Sequence, residues 1–315
     1  MTKLTQKKIL VTGGAGFIGS HLVNRLIREG YSVVVLDNLS TGKRERVNPR
    51  GTFYKVDIAS PAIFPLFRKE KPNIVVHLAA LPRIPLSIVK PVETTKTNIL
   101  GTVNVFKAAL DTKISRVVFA SSSSVYGNQK VSPLKETLIP HPLSPYALQK
   151  LVGEQFAKLF LMFYNFPIIS LRYFNVYGPG IDFTSSYSLV IGKFLVQNAQ
   201  KKPLTIFGDG KQTRGFCYID DVIEGTIRAM RSPGLGGGEV INIGSDTSYS
   251  INELANLIGG RAGKVVHLPP RSGDIRHTRA DMNLARTLLQ WEPRVSFAEG
   301  VQRTKEWFEL ARVKK

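Results

Sequence analysis

The run Lys8-Ile-Leu-Val-Thr-Gly-Gly-Ala-Gly-Phe-Ile-Gly19 constrains the fold more than any other stretch of the chain. Its β-favouring residues pass directly into glycines, and an apolar-periodic segment follows as far as Glu29: strand, tight turn, helix. Gly13 permits the turn, Gly16 lets the backbone approach a pyrophosphate, and Gly19 lets the helix pack closely on the strand. The glycines satisfy both the spacing 13, 16, 19 and the tighter spacing 14, 16, 19. Phe17 and Ile18 open the helix, whose free N–H groups would hold the anion. A second strand, Tyr31-Ser-Val-Val-Val-Leu-Asp37, ends in a carboxylate and is followed by Asn38. Asp37 can take the adenosine ribose hydroxyls and would repel a 2′-phosphate, which favours NAD over NADP. Lys43 and Arg44, close behind, leave NADP open.

Strands and helices go on alternating. Gly51-Thr-Phe-Tyr-Lys-Val-Asp57 reads as a third strand that brings Asp57, and Ile58 after it, to the adenine end of a dinucleotide. Ile74-Val-Val-His-Leu-Ala-Ala80 reads as a fourth; Leu78, Ala79 and Ala80 at its end would let a cofactor lie close. A helix over 92–110 carries Asn98, and Arg116-Val-Val-Phe-Ala-Ser121 is a fifth strand. This alternation specifies an α/β chain with a Rossmann-type doubly wound parallel sheet, which binds ligands at the carboxyl ends of its strands. After a sixth strand at 167–172 the pattern loosens, with Gly and Pro clusters at 178–180, 208–210, 233–238 and 269–273. Helices are expected near 187–200, 218–231, 250–258, 281–290 and 297–311, and a strand at 239–243. The expected division is a dinucleotide-binding domain of residues 1–174 and 216–243, with a smaller α/β substrate-binding lobe of residues 175–215 and 244–315. Gly234-Leu-Gly-Gly-Gly238 reads as a loop; a second phosphate cradle would want Lys-Ser/Thr after it.

Three residues outside the glycine turn carry chemistry. In Ser144-Pro-Tyr-Ala-Leu-Gln-Lys150 the proline suits a first helical turn, so Tyr146 and Lys150 share one helix face. A free phenol titrates near 10, too high for a base at neutral pH. A fixed ammonium beside it would favour the phenolate, and Ser122, in the Ser run after the fifth strand, could hold a reacting oxygen nearby. His21 and His77 read as structural rather than catalytic.

Bulk properties narrow the alternatives. With 43% hydrophobic and 21% charged residues the chain is ordinary globular material. No apolar run reaches the ~18–20 residues of a membrane span. The polar N-terminus runs into a strand without room for a signal peptide. The single Cys217 excludes internal disulfides and cysteine-based zinc sites, so a cytoplasmic location and no metal are expected, with Cys217 as a small buried residue. The net charge of +20 attracts anions, yet Lys and Arg are spread along the chain with no basic–aromatic stripe. Specific nucleic-acid binding is therefore not expected; a cofactor-sensing regulator or nucleic-acid binder is the non-enzyme alternative.

Taken together the motifs resemble the extended short-chain dehydrogenase/reductase family, in particular its nucleotide-sugar 4-epimerases. The likeness covers essentially the whole chain. It rests on Thr12-Gly-Gly-Ala-Gly-Phe-Ile-Gly19, Asp37-Asn-Leu, His77-Leu-Ala-Ala80, Ser121-Ser-Ser-Ser-Val-Tyr-Gly127, Tyr146-x3-Lys150, Arg172-Tyr-Phe-Asn-Val-Tyr-Gly-Pro179, Phe207-Gly-Asp-Gly-Lys-Gln-Thr-Arg214 and Arg271-Ser-Gly-Asp-Ile-Arg-His277. The resemblance implies a tightly held NAD and a UDP-sugar between two lobes. Tyr146 would take the proton of the sugar 4-hydroxyl while the C4 hydride passes to the nicotinamide; the 4-keto sugar then turns over and is reduced on its other face. Lys150 would also reach the nicotinamide ribose, Ser122 would orient the 4-oxygen, and Tyr173 would face the nicotinamide. Arg214 and Arg271, with planar forks suited to phosphate oxygens, and Asn175 match diphosphate-binding positions, and Asp274 the uridine ribose. Ser123 and Ser124 stand where related 4,6-dehydratases carry Asp-Glu, so loss of water is not expected.

The family also implies a homodimer in which the 92–110 helix and the Tyr–Lys helix pack against their copies as a four-helix bundle. Thr278 matches a position where epimerases restricted to glucose and galactose hold a bulky aromatic, so a 2-N-acetyl group is expected to fit. The expected reaction is therefore interconversion of UDP-GlcNAc and UDP-GalNAc, and also of UDP-glucose and UDP-galactose. Pro82-Arg83 and Gly215 depart from the family pattern. Arg83 could read a sugar carboxylate, which keeps a UDP-glucuronate 4-epimerase or decarboxylase as the alternative.

Overall fold

The computed structural model describes residues 7–183, 189–260, 264–270 and 276–313. Its centre is a seven-stranded sheet built from β1 (Lys8–Thr12), β2 (Ser32–Asp37), β3 (Thr52–Lys55), β4 (Ile74–His77), β5 (Arg116–Ser122), β6 (Ile168–Tyr173) and the strand Val240–Ile243. The spatial order is Val240–Ile243, β6, β5, β4, β1, β2, β3, and every pairing is parallel. The winding reverses between β1 and β4, where Thr12 lies beside His77, and a doubly wound sheet binds its ligand at such a switch point. Helices cover both faces. This is why β4 and β6 are buried at every residue and why their sequences run apolar instead of alternating.

The expected elements are present with small shifts. Pro91–Thr95, Lys96–Leu100 and Gly101–Asp111 run on as one helix, with a π-turn in the middle segment. β4 stops at His77, so Leu78, Ala79 and Ala80 form a loop rather than the end of a strand; there the Thr12 hydroxyl accepts from the Ala79 N–H at 3.2 Å. Gly234–Gly238 is a loop, and its Gly236 and Gly237 N–H groups are taken by the Glu239 carboxylate, which leaves no cradle for phosphate. Three elements had no sequence signal. The helix Ile63–Glu70 contains a proline, the helix Ile84–Val89 has six residues, and the strand Val265–Leu268 is exposed along its whole length as it pairs with Leu204–Phe207.

The later elements pack on the sheet without a break in the core: one apolar cluster runs from Ile9 and Val35 through Phe174 and Ile219 to Phe297 and Phe308. Cys217 lies buried in it. A small sheet sets Thr213–Arg214 between Tyr249–Ser250 and His277–Thr278. Among the described residues no helix is long and apolar enough to cross a membrane, and no group of His, Cys, Asp or Glu could hold a metal ion.

Two buried polar networks fix the parts that matter for function. The first seats the helix Pro145–Tyr164 on β5 and β6. Ser144 caps it by accepting from the Ala147 N–H at 3.2 Å, with Pro145 in the first turn. Gly153 permits close packing: a Cβ there would stand 2.5 Å from the Phe119 ring. One turn beyond Lys150, Glu154 accepts from Ser121 Oγ and from Arg172 Nε at 2.9 Å and Nη2 at 2.7 Å. Both partners of the ion pair are almost wholly buried. Arg172 Nη1 has no hydrogen-bond partner, but its guanidinium lies 4.5 Å from the centre of the Tyr126 ring. The Tyr126 hydroxyl donates to Asn242 Oδ1 at 2.7 Å, which carries the network to the edge strand.

The second network surrounds His77. Its Nδ1 lies 2.7 Å from Thr12 Oγ1 and its Nε2 3.0 Å from Thr102 Oγ1. Thr102 Oγ1 donates to the Asn98 carbonyl, so Nε2 carries the proton and Nδ1 accepts from Thr12. The ring is neutral, stacked on Phe119 at 5.6 Å, and burial followed by the nearby Lys150 charge lowers its pKa to about 3.

Replacing Glu154 by Leu strands the Arg172 charge in the core and is expected to cost about 3–5 kcal/mol in denaturant titrations. Adding Arg172→Met should recover most of that loss. His77 sets a pH dependence. Below about 6.5 the unfolded chain takes up a proton that native His77 refuses until about 3, so acidification favours unfolding. Urea titrations should show this residue removing about 1.4 kcal/mol per pH unit across that window. His77→Gln should flatten the slope by that amount.

Candidate active site

The carboxyl edge of the sheet gathers the expected residues. Gly13 has φ +73°, and a Cβ there would stand 2.7 Å from the Ala79 nitrogen, so the turn presses on the loop after β4. A Cβ on Gly19 would overlap the Gly13 carbonyl, which ties the start of the helix Phe17–Arg28 to the turn. No side chain caps that helix, leaving its first N–H groups open for an anion. Asp37 is buried at the end of β2; its Oδ2 accepts from the Ala15 N–H at 3.0 Å and its Oδ1 from Leu39 N–H at 2.8 Å. Asn38 caps its own turn through Ser40, and Asp57 does so through Ala59, next to the buried Ile58. A glycine cradle, an uncapped helix and an acid at the ribose position fit an NAD molecule laid across the sheet edge.

Asn98 is buried behind this edge. Its Oδ1 accepts from Leu81 N–H at 2.8 Å, and its Nδ2 donates to Leu81 O at 3.2 Å and to Gln149 Oε1 at 2.7 Å. The amide is spent within the protein. These bonds clamp Leu81, in the loop that follows Leu78, Ala79 and Ala80, onto the Tyr–Lys helix.

Ser122, Tyr146 and Lys150 converge. Ser122 ends β5 and lies in register beside Tyr173 of β6. Its hydroxyl accepts from Ser124 N–H at 3.2 Å and from Ser124 Oγ at 2.9 Å, which draws the first turn of the helix Ser123–Tyr126 against it. Lys150 points its ammonium inward, donating to the Ala120 carbonyl at 2.7 Å and lying 5.0 Å from the centre of the Phe119 ring. Burial lowers its pKa to about 7, against the opposing pull of Glu154. Burial raises Tyr146 to about 12, and the influences that oppose the rise are a hydrogen bond with Ser122 and the charge of Arg83. The Tyr173 hydroxyl is bonded to Thr226 at 2.8 Å.

A second cluster is assembled around Asn175, which holds a left-handed φ of +34°. Its Nδ2 donates to Gly215 O at 3.1 Å and to Thr278 Oγ1 at 3.1 Å. Thr278 pairs in register with Arg214, whose Nη1 bonds the carbonyls of Thr213 at 3.0 Å and Arg276 at 3.4 Å. Asn175, Arg214 and Thr278 therefore meet in one patch. A side chain at Gly215 would be crowded, because a Cβ would stand 3.0 Å from the Thr278 carbonyl and 3.2 Å from that of Ser245. Arg271 and Asp274 lie outside the described residues. Sequence reading missed Glu154, Ser87 and Asp182. Only Glu154 had a usable signal, a charge one turn beyond Lys150 on the face that must be buried.

Comparison with known proteins agrees with this geometry. Residues 9–244 match the profile of the NAD dependent epimerase/dehydratase family. The structure superposes on a UDP-glucose 4-epimerase from Thermotoga maritima, crystallised with UDP-glucose, with TM-score 0.93 and 38% identity over 97% of this chain and 99% of that one. A UDP-N-acetylglucosamine 4-epimerase from Methanobrevibacter ruminantium, in complex with UDP-N-acetylmuramic acid, gives TM-score 0.91 and 36% identity over 97% and 99% of the two chains. A UDP-glucuronate 4-epimerase from Thermodesulfobacterium geofontis is 35% identical over 95% of each chain. With a glycine cradle for NAD and a Ser–Tyr–Lys cluster at the edge of a seven-stranded parallel sheet, the chain belongs to the NAD dependent epimerase/dehydratase family, as an NAD-dependent nucleotide-sugar epimerase.

Proposed function

We propose that the protein is a UDP-N-acetylhexosamine 4-epimerase that interconverts UDP-GlcNAc and UDP-GalNAc and also accepts UDP-glucose and UDP-galactose. The observation that carries this reading is Thr278. It is small, 5% exposed, aligned with Arg214, and its hydroxyl is engaged by Asn175, so it presents little bulk to a sugar 2-substituent. The similarity to a UDP-N-acetylglucosamine 4-epimerase supports it.

NAD, held by the glycine turn and Asp37, would supply a reversible hydride acceptor for the sugar C4. The chain's residues do the rest. Ser122 orients the 4-oxygen and Tyr146 exchanges the proton of the 4-hydroxyl in both directions. Arg214 and Asn175, joined by Arg271, grip the diphosphate while the sugar turns, and Asp274 holds the uridine ribose. Residues 1–174 and 216–243 serve the cofactor, and residues 175–215 and 244–315 the UDP-sugar. Ser123 and Ser124 offer no carboxyl acid and base, which disfavours dehydration. A uronate substrate is the second reading, favoured by Arg83 near Tyr146 and by the glucuronate-acting relative. Against it, Arg83 already has Asp182 as a counter-ion at 3.4 Å.

The protein acts as a cytoplasmic homodimer in this reading. Val92 on the long helix is 83% exposed, and Met162 and Phe163 on the Tyr–Lys helix are 66% and 69% exposed. Apolar side chains so open on two neighbouring helices suit burial against a second copy as a four-helix bundle.

Incubation with UDP-GlcNAc is expected to yield UDP-GalNAc, resolved by anion-exchange chromatography, and Tyr146→Phe should abolish it. Thr278→Tyr should remove at least ten-fold of the N-acetylhexosamine activity while sparing UDP-glucose. Conversion of UDP-glucuronate alone would replace this reading with the second. Sedimentation should find a dimer, and Phe163→Glu combined with Met162→Glu should give monomer; a wild-type monomer would end the bundle proposal.

A further inference from the structure

We infer that Ser87 is a positioning residue for the Tyr146 phenol, closing the open end of the Tyr–Lys helix from outside that helix. This rests on Tyr146 as the proton-exchanging group, but not on which sugar is turned over.

The first turn of a helix leaves backbone N–H groups with no partner inside the helix. In the helix Pro145–Tyr164 the first turn closes with the Leu148 N–H donating to Ser144 O at 3.0 Å. Pro145 has no N–H, and the Ala147 N–H is taken by Ser144 Oγ at 3.2 Å. The N–H left over belongs to Tyr146, and Ser87 Oγ accepts it at 3.1 Å. The same hydroxyl donates to Ile84 O at 2.7 Å, a bond that serine commonly makes to its own helix. With its proton committed there, Ser87 meets Tyr146 only as an acceptor. Ser87 is fully buried in the short helix Ile84–Val89, so the bond is shielded from competition by bulk water.

The segment that carries Ser87 is itself fixed to the Tyr–Lys helix on both flanks. Before it, Leu81 is held by the Asn98 amide, which donates to Gln149 Oε1 at 2.7 Å. After it, Thr94 and Thr95 each accept from Gln149 Nε2 at 3.0 Å. Gln149 is almost wholly buried. Residues 81–95 are thus pinned at Gln149, and Ser87 reaches Tyr146 from between the pins. The bonds that seat the rest of the helix act farther along it. Lys150 donates to Ala120 O at 2.7 Å one turn past Tyr146, and Glu154 holds Arg172 one turn past that. Neither reaches the opening turn. A phenol is a long lever on its backbone, so a small tilt of that turn would move the Tyr146 oxygen relative to Ser122 on β5. Misplacing a reacting group by about 1 Å can cost roughly 100-fold in rate.

The test compares Ser87→Ala, Ser87→Cys and Ser87→Thr in NAD-loaded enzyme, with active sites counted by bound NAD. Ser87→Ala and the nearly isosteric Ser87→Cys, whose thiol is a weak acceptor, should lower kcat roughly 10- to 100-fold and leave KM within about two-fold. Ser87→Thr keeps the hydroxyl and should retain most of kcat. The solvent deuterium isotope effect on kcat should grow in the Ala and Cys variants, because proton exchange with the sugar becomes slower. Loss of folded enzyme alone would not move it. Hydrogen exchange at the Tyr146 amide reads the anchor with no sugar present: faster in Ser87→Ala, protected in Ser87→Thr. A Ser87→Ala enzyme with wild-type kcat and isotope effect would overturn the proposal, and so would a loss confined to KM. The kinetics use whichever UDP-sugar is turned over, so failure of the N-acetylhexosamine reading leaves them intact. Turnover retained by Tyr146→Phe would overturn the role of Tyr146 and this proposal together, and that variant alone tells the two failures apart.

Discussion

The buried ion pair of Glu154 and Arg172 sets the position of the Tyr–Lys helix on the sheet. It bonds the Tyr–Lys helix to β6 through Arg172 and to β5 through Ser121, one turn away from Lys150. A buried pair of this kind contributes little net stability compared with apolar residues of similar volume. Its value here is directional. Two parallel N–H···O bonds accept one orientation of the carboxylate, whereas an apolar contact would let the helix slide by a fraction of an ångström. Phe119 meeting Gly153 sets the depth of the helix, and the ion pair sets its register. The Tyr126 ring and hydroxyl extend the same constraint to Asn242 on the edge strand.

Burial is also what makes the site electrostatically unusual. Lys150, His77 and Tyr146 are all removed from water, and in each case desolvation is the largest influence and favours the neutral form. The three respond differently because their partners differ. His77 has a donor and an acceptor suited to one neutral tautomer, so nothing restores its charge. Lys150 keeps a carbonyl and a carboxylate close by, which returns part of its proton affinity. For Tyr146 the opposing influences are the Ser122 hydroxyl and the Arg83 charge.

Much of this was legible in the sequence. The strand–glycine–helix opening, the acid ending the second strand and the Tyr-x3-Lys pair are local patterns. Each needs only neighbours within a turn or a strand, and each appears in the structure as read. The boundary at His77 was misplaced because Leu78, Ala79 and Ala80 continue the apolar run, while the chain leaves the sheet for a tertiary reason, the Thr12 hydroxyl taking the Ala79 N–H. The partners of the Asn98 amide, Leu81 and Gln149, lie 17 and 51 positions away, beyond what its sequence neighbourhood can reveal. Gly215, a departure in the sequence, lies where the carbonyls of Thr278 and Ser245 would crowd a side chain. The patch joining Asn175, Arg214 and Thr278 depends on contacts between residues about 40 and 100 positions apart, which no periodicity encodes.

The two backbone N–H groups on Asp37 have a consequence for how the cofactor is met. A carboxylate on a free side chain must lose rotamer entropy when a ribose arrives, and it can turn aside from an unwelcome charge. Here Ala15 and Leu39 have already immobilised both oxygens, and Ala15 belongs to the glycine turn itself. The ordering cost falls on folding instead of on association, so little has to be organised as the adenosine end docks. The same rigidity makes discrimination steric as well as electrostatic. A 2′-phosphate would face an anion that cannot retreat, on a loop whose turn would have to open before the carboxylate could move.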